Sequence, residues 1–186
     1  MKRAFLALLA VVFAFIPQAY AQEYQEITEI GGEPETRLTV KLPAEVSPDE
    51  EFIIEATLQT TEEGKEYSGK LNAYILTIYE QGKSEAQDED IQSLLWELEP
   101  EEIEEAGRAG EPIELDKYHI EVRCADSERV KVTNEEETIE LTLLAPSTPP
   151  EPGLVMTSST VNFDVRNLEA HSKITVKIRD VLLKVV

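Results

Sequence analysis

The sequence predicts an all-β fold: a two-sheet β-sandwich of immunoglobulin-like or jelly-roll type, with about eight or nine strands and a short helical insertion. Three observations carry this expectation. The stretch KLNAYILTIYE, Lys70 to Glu80, is rich in aromatic and β-branched residues and is bounded by Gly69 and Gly82. On a period of two, Leu71, Ala73, Ile75, Thr77 and Tyr79 share one face while Tyr74, Leu76 and Ile78 occupy the other, so both faces need an apolar cover. Around this stretch, short alternating segments recur between turn-forming residues, with no strand and helix alternation of the βαβ kind.

Taken in order, Met1 to Ala21 has the three parts of a secretory signal: Lys2 and Arg3, the apolar run Ala4 to Ile16, and Pro17 leading to Ala19-Tyr20-Ala21. Cleavage after Ala21 leaves 165 of the 186 residues, enough for one domain with a proper core. The apolar run is too short to span a bilayer comfortably, and no second one follows, so no transmembrane anchor is expected after signal removal. Gln22, not cysteine, follows the cut, which disfavours a lipid anchor. The expected location is secreted or periplasmic.

Residues 22–36, polar with the pair Gly31-Gly32, read as a flexible or edge-running lead-in, and 37–186 as one β-sandwich domain. Arg37 to Leu42 alternates, Pro43 ends it, and Ser47-Pro48-Asp49 turns the chain into Glu51 to Thr60. There Phe52, Ile54, Ala56 and Leu58 share a face, with Ile53 as an exception. After the central stretch the period changes: Ile91, Leu94, Leu95 and Leu98 form a helical stripe. Pro100-Glu101-Glu102 resembles a fresh helix start, and Gly107 a stop. This insertion, about residues 88–106, is expected to pack over the back face of the central strand or to cap one end of the sandwich. Tyr118 to Cys124, Arg129 to Thr133, Thr138 to Leu144, Met156 to Val165 and Ser172 to Val186 return to strands. Ala145 to Gly153, APSTPPEPG, is too proline-rich for regular structure.

Thirty-one glutamates and seven aspartates against 17 lysines and arginines give a formal charge of −21, which becomes −23 when Lys2 and Arg3 leave with the signal. That charge repels phosphate backbones and excludes nucleic-acid binding as an expectation. Cys124 is alone and shares its phase with Tyr118, Ile120 and Val122, which predicts a buried, inert thiol. His119 lies opposite in phase to Tyr118 and Ile120, and is expected to face solvent. It stands fifty-two positions from His171 with no cysteine pair nearby, so neither a metal site nor a cofactor is expected. No nucleophile elbow, phosphate loop or zinc-protease motif occurs. Trp96, the sole tryptophan, falls off the helical stripe, and with Glu101 and Glu102 it is the candidate partner-binding group.

Three segments resemble the cohesin-type β-sandwich of bacterial and archaeal extracellular proteins. VSPDEEFIIEATLQ is similar to that family's opening turn and long strand, and GKLNAYILTIYE to the strand before its tyrosine-aspartate-proline corner, here Tyr79-Glu80-Gln81. Gly153-Leu154, VNFDVRN and SKITVKIRDVLL are similar to its two closing strands. The resemblance implies a non-catalytic nine-stranded domain that binds a protein partner through one sheet face. The expected function is therefore a secreted protein-binding or assembly module. The alternatives are a hydrolase or accessory subunit with a carboxylate site under the helical insertion, and a carbohydrate-binding module. The 6% aromatic content makes the last less favoured, since sugar platforms need exposed aromatics in a row.

Overall fold

The computed structural model describes residues 23–82, 98, 100–115, 117–125, 127–147, 149–167 and 173–186. Its strands are β1 (Tyr24–Gly31), β2 (Thr36–Pro43), β3 (Glu45–Val46), β4 (Glu51–Thr60), β5 (Tyr67–Gln81), β6 (Ile113–Leu115), β7 (Tyr118–Cys124), β8 (Glu128–Val132), β9 (Glu137–Leu144), β10 (Leu154–Asn167), β11 (Lys173–Leu182) and β12 (Lys184–Val185). One helix, α1 (Pro100–Ala109), lies among them. The fold is all-β and sandwich-like, with antiparallel sheets in the orders β1-β2-β4-β9 and β11-β10-β5-β7-β6. Strand β8 takes the part of β5's edge that β7 leaves, pairing Tyr67 to Leu71 while β7 pairs Tyr74 to Glu80.

Strand β5 is long because its sequence has no reason to stop: fifteen residues without proline, alternating on both faces. Its inner face (Leu71, Ala73, Ile75) joins Leu38, Val40, Ile54, Leu58, Leu141, Val161 and Phe163 in the main core between the sheets. Its outer face (Tyr74, Leu76, Ile78) packs with Ile120 and Val122 of β7 and Ile103 of α1 in a second core. Burying one such aliphatic side chain stabilises by about 1.5–3 kcal/mol, which explains why both faces acquire a cover. Inside the main core, Thr77 and Ser159 satisfy each other at 3.2 Å, so these buried hydroxyls are not left unpaired.

The structure adds to and corrects the expected elements. The lead-in forms edge strand β1, paired along its whole length with β2 from Tyr24↔Pro43 to Gly31↔Thr36. Its alternation was hidden by Glu26 and by Glu29, which lies on the face of core Leu38 yet is exposed because the strand is at the sheet edge. The closing segment is two strands: after β11 the chain crosses over and β12 pairs in parallel with β3. Residues 145–147 and 149–153 carry no regular structure, as the prolines dictate. Among the insertion residues, Leu98 is buried in the second core, while Ile91, Leu94 and Leu95 lie outside the described residues.

Helix α1 begins at Pro100 as expected but runs through Gly107. It stops at Gly110, whose φ of +68° suits glycine, and the N–H of Glu111 donates back to the Ala106 carbonyl at 3.2 Å. Gly107 is instead the point of closest approach to the sheet. A Cβ added there would lie 2.5 Å from Cys124 Sγ and 2.9 Å from Val122 Cγ1. Helix propensity alone favours Gly107→Ala by up to about 1 kcal/mol. The expected outcome is the opposite sign: overpacking of roughly 1–3 kcal/mol outweighs propensity, and the urea midpoint falls. A midpoint that rises would show that α1 does not press on β7.

Candidate functional site

Three places gather polar chemistry. The first is the outer face of the large sheet, beside α1. Asp164 on β10, only 2% exposed, accepts a hydrogen bond from Asn72 Nδ2 on β5 at 2.6 Å and faces Arg166 Nε at 3.3 Å. Arg166 also contacts Glu104 of α1. Register explains the meeting: Asn72↔Asp164 and Lys70↔Arg166 are directly opposite, ninety-two residues apart in the first case. The two carboxylates that lie under the insertion thus share one guanidinium. The arrangement braces helix against sheet.

The second place is the inner face of β7. His119, expected toward solvent, is mostly buried: its ring meets Tyr79 edge-on at 6.0 Å and its Nδ1 lies 2.5 Å from Glu114 Oε1. The segment after β9 folds over this side, because Arg123 donates to the Ala145 carbonyl at 2.8 Å and to Ser147 Oγ at 3.0 Å. Tyr79 is enclosed and donates to Glu121 Oε2 at 3.4 Å. Burial, reinforced by the Glu121 charge, pushes its phenol up to about 12, so it stays neutral at any ordinary pH. This chain of groups holds a loop in place. At Tyr79-Glu80-Gln81, Glu80 is buried and paired with Lys117 at 2.5 Å.

The third place is the rim where the two sheets meet. β1 and β11 are edge strands of different sheets and lie side by side. Gln25 Nε2 on β1 donates to the Leu182 carbonyl on β11 at 2.9 Å, clamping one end. At the other end Gly31 and Gly32 pack against Thr175 and Val176, and beside this contact lies a groove of about 310 Å³ lined by Glu29, Ile30, Gly31, Ile174, Thr175, Val176 and Lys177. β1 runs beside β2 for eight consecutive residues without a bulge, whereas β11 carries two register shifts against β10. A long, flat edge is a template for another strand, and bulges blunt one. Between its two contacts with β11 the edge of β1 away from β2 carries no bulge, and Ile30 beside it is 53% exposed.

The sequence-predicted candidates are elsewhere. Glu101 and Glu102 lie in the first turn of α1, and Glu102 is exposed; Trp96 and His171 are outside the described residues. Cys124 is not buried as its phase suggested. It is exposed at the last position of β7, at the margin of α1, with Sγ turned toward Gly107. Nothing in the sequence marked the rim except the β-rich composition of YQEITEI. Among the described residues no group of three or more histidine, cysteine or acidic side chains has metal-binding geometry. No helix among them is long and apolar enough to cross a membrane.

Two outcomes follow. Asp164→Asn removes one of the two carboxylates on Arg166 and leaves Glu104, and is expected to cost about 1.5–3 kcal/mol in urea unfolding; a loss under about 1 kcal/mol would show the brace to be dispensable. Cys124 should label stoichiometrically with a maleimide in the folded protein. It should react more slowly at neutral pH than an unhindered thiol, because partial burial, and then Glu104, raise its pKa. A requirement for denaturant would return it to the core.

No family model and no curated protein matches this sequence. Among solved structures, the chain is similar to a β-glucosidase from Listeria innocua in complex with glucose, at 12% identity and a TM-score of 0.36, over 89% of this chain and 17% of that one. It is similar to Spo0M, a sporulation control protein from Bacillus subtilis, at 12% identity and a TM-score of 0.35, over 88% and 49% of the two chains. A third, AvmM, which catalyzes macrocyclization in alchivemycin A biosynthesis, gives 14% identity and a TM-score of 0.35 over 86% and 81%. The chain spans less than a fifth of the first of these proteins and about half of the second. Likeness at this level carries no argument about activity, ligand or partner.

Proposed function

We propose that this protein is an exported, non-catalytic β-sandwich that works as a protein-binding or assembly module, in the manner the cohesin-type resemblance implies. The observation that carries the reading is the β1 edge. Eight residues in unbroken register with β2 present their other side beside a groove that includes Ile30, Ile174 and Val176. Strand addition supplies affinity through main-chain hydrogen bonds and specificity through the side chains that enter such a groove. The occupant is an extended segment of a partner protein. Glu26 and Glu29 on β1 favour basic residues in that segment, since opposite charges across strands stabilise and like charges do not.

Affinity capture with the full chain, followed by mass spectrometry and repeated with Ile30→Lys, tests this. Ile30 is exposed, so the variant should melt like the parent. The expected result is a partner retained by the parent and lost by the variant. A set of partners that Ile30→Lys leaves intact removes the rim from the reading. Release of reducing sugar or acyl product by the purified chain would support a hydrolase instead.

A further inference from the structure

The outer face of the large sheet bears a charge pattern opposite to that of the rest of the chain. Arg129 on β8 is directly opposite Lys70 on β5, and Lys70 is directly opposite Arg166 on β10. These three alternate with core residues Val130, Leu71 and Val165, so all point away from the main core. Two positions along, Lys177 on β11 stands opposite Asp164. Next to it a bulge sets Arg179 and Asp180 against Asn162, between the pairs Phe163↔Ile178 and Val161↔Val181. Asn162 Oδ1 accepts the Asp180 N–H at 3.0 Å, and Asp180 takes a φ of +56°, a backbone state that non-glycine residues rarely adopt. The bulge aims Arg179 across β10, with Cζ 5.5 Å from the centre of the Tyr74 ring.

Of this group only Arg166 is neutralised, by Asp164 and Glu104. Among the described residues, Lys70, Arg129, Lys177 and Arg179 have no carboxylate within 4.0 Å. Elsewhere Lys41, Lys65, Lys117, Arg123, Lys131 and Lys184 each have one, while Arg37, which reaches Gln59 Oε1, and Arg108 stand singly and not in a row. In a chain with 38 acidic residues, four uncompensated cations on one face are not a consequence of composition. Like charges directly opposite on adjacent strands oppose folding, so nothing in the fold itself calls for the row.

We propose that this face, around Lys70, Arg129, Lys177 and Arg179, is a docking surface for an acidic polypeptide segment, held by carboxylate pairs to the guanidinium and ammonium groups. The two unpaired arginines present planar forks that match carboxylates bidentately. The net charge of −21 repels any polyanion at long range, so the occupant is a short acidic segment whose carboxylates reach the four cations directly. The surface meets the β1 rim at Lys177, which lines both, and calls for a partner of opposite charge.

Fluorescence anisotropy of labelled decaglutamate, titrated with the full chain at low ionic strength, tests the assignment. Saturable binding that weakens with salt is expected. A Lys70→Gln, Arg129→Gln double variant should lose affinity about tenfold or more, and should melt no lower than the parent, because the repulsion between the two residues is gone. A Lys41→Gln, Lys184→Gln variant, with the same net charge and altered cations elsewhere, should bind like the parent. Absence of binding, equal loss in both variants, or preference for heparin over decaglutamate would overturn the proposal.

Discussion

Everything in this molecule depends on β5 being buried on both faces. A strand apolar on one side can lie on a single layer; one that carries Leu71, Ala73 and Ile75 on one side and Tyr74, Leu76 and Ile78 on the other must be sandwiched. The small sheet closes over the first set and α1, with Leu98, over the second. The result is three layers around a strand that also pairs with β10 on one edge and with β7 and β8 in succession on the other.

The outer face of the large sheet is divided by that arrangement. Where α1 covers it the residues are apolar, and the helix comes close enough that only glycine fits at position 107. Beyond the helix the face turns polar, and Glu104 to Arg166 to Asp164 to Asn72 crosses from helix to sheet at the boundary. Asp164 is tolerated in so dry a place because it meets both an amide and a guanidinium. The same boundary separates the structural half of the face from the half whose cations have no partners.

The two surfaces proposed for recognition differ in kind. The rim offers main-chain groups along a strand edge, where the identity of the side chains matters less than the absence of bulges. The basic face offers side chains at positions fixed by cross-strand register. Acidic outer residues on one sheet, such as Glu51, Glu55 and Glu140, and a cationic row on the other polarise the sandwich from layer to layer.

Local periodicity was sufficient for much of this. Strands with strong alternation, β2, β4, β7 and β9, and the apolar double face of β5 were legible because burial writes itself at a spacing of two whatever the partner. The helix start at Pro100 was legible for the same local reason. Tertiary structure alone decided what depends on register between distant segments: Asn72 meeting Asp164, Lys70 caught between Arg129 and Arg166, and Tyr79 enclosing His119. It also decided where cover ends, which is why Cys124, in phase with buried neighbours, emerges into solvent, and why Gly107 is a contact and not a stop. A sequence specifies which faces must be hidden; the order of strands determines what hides them, and therefore what is left exposed to a partner.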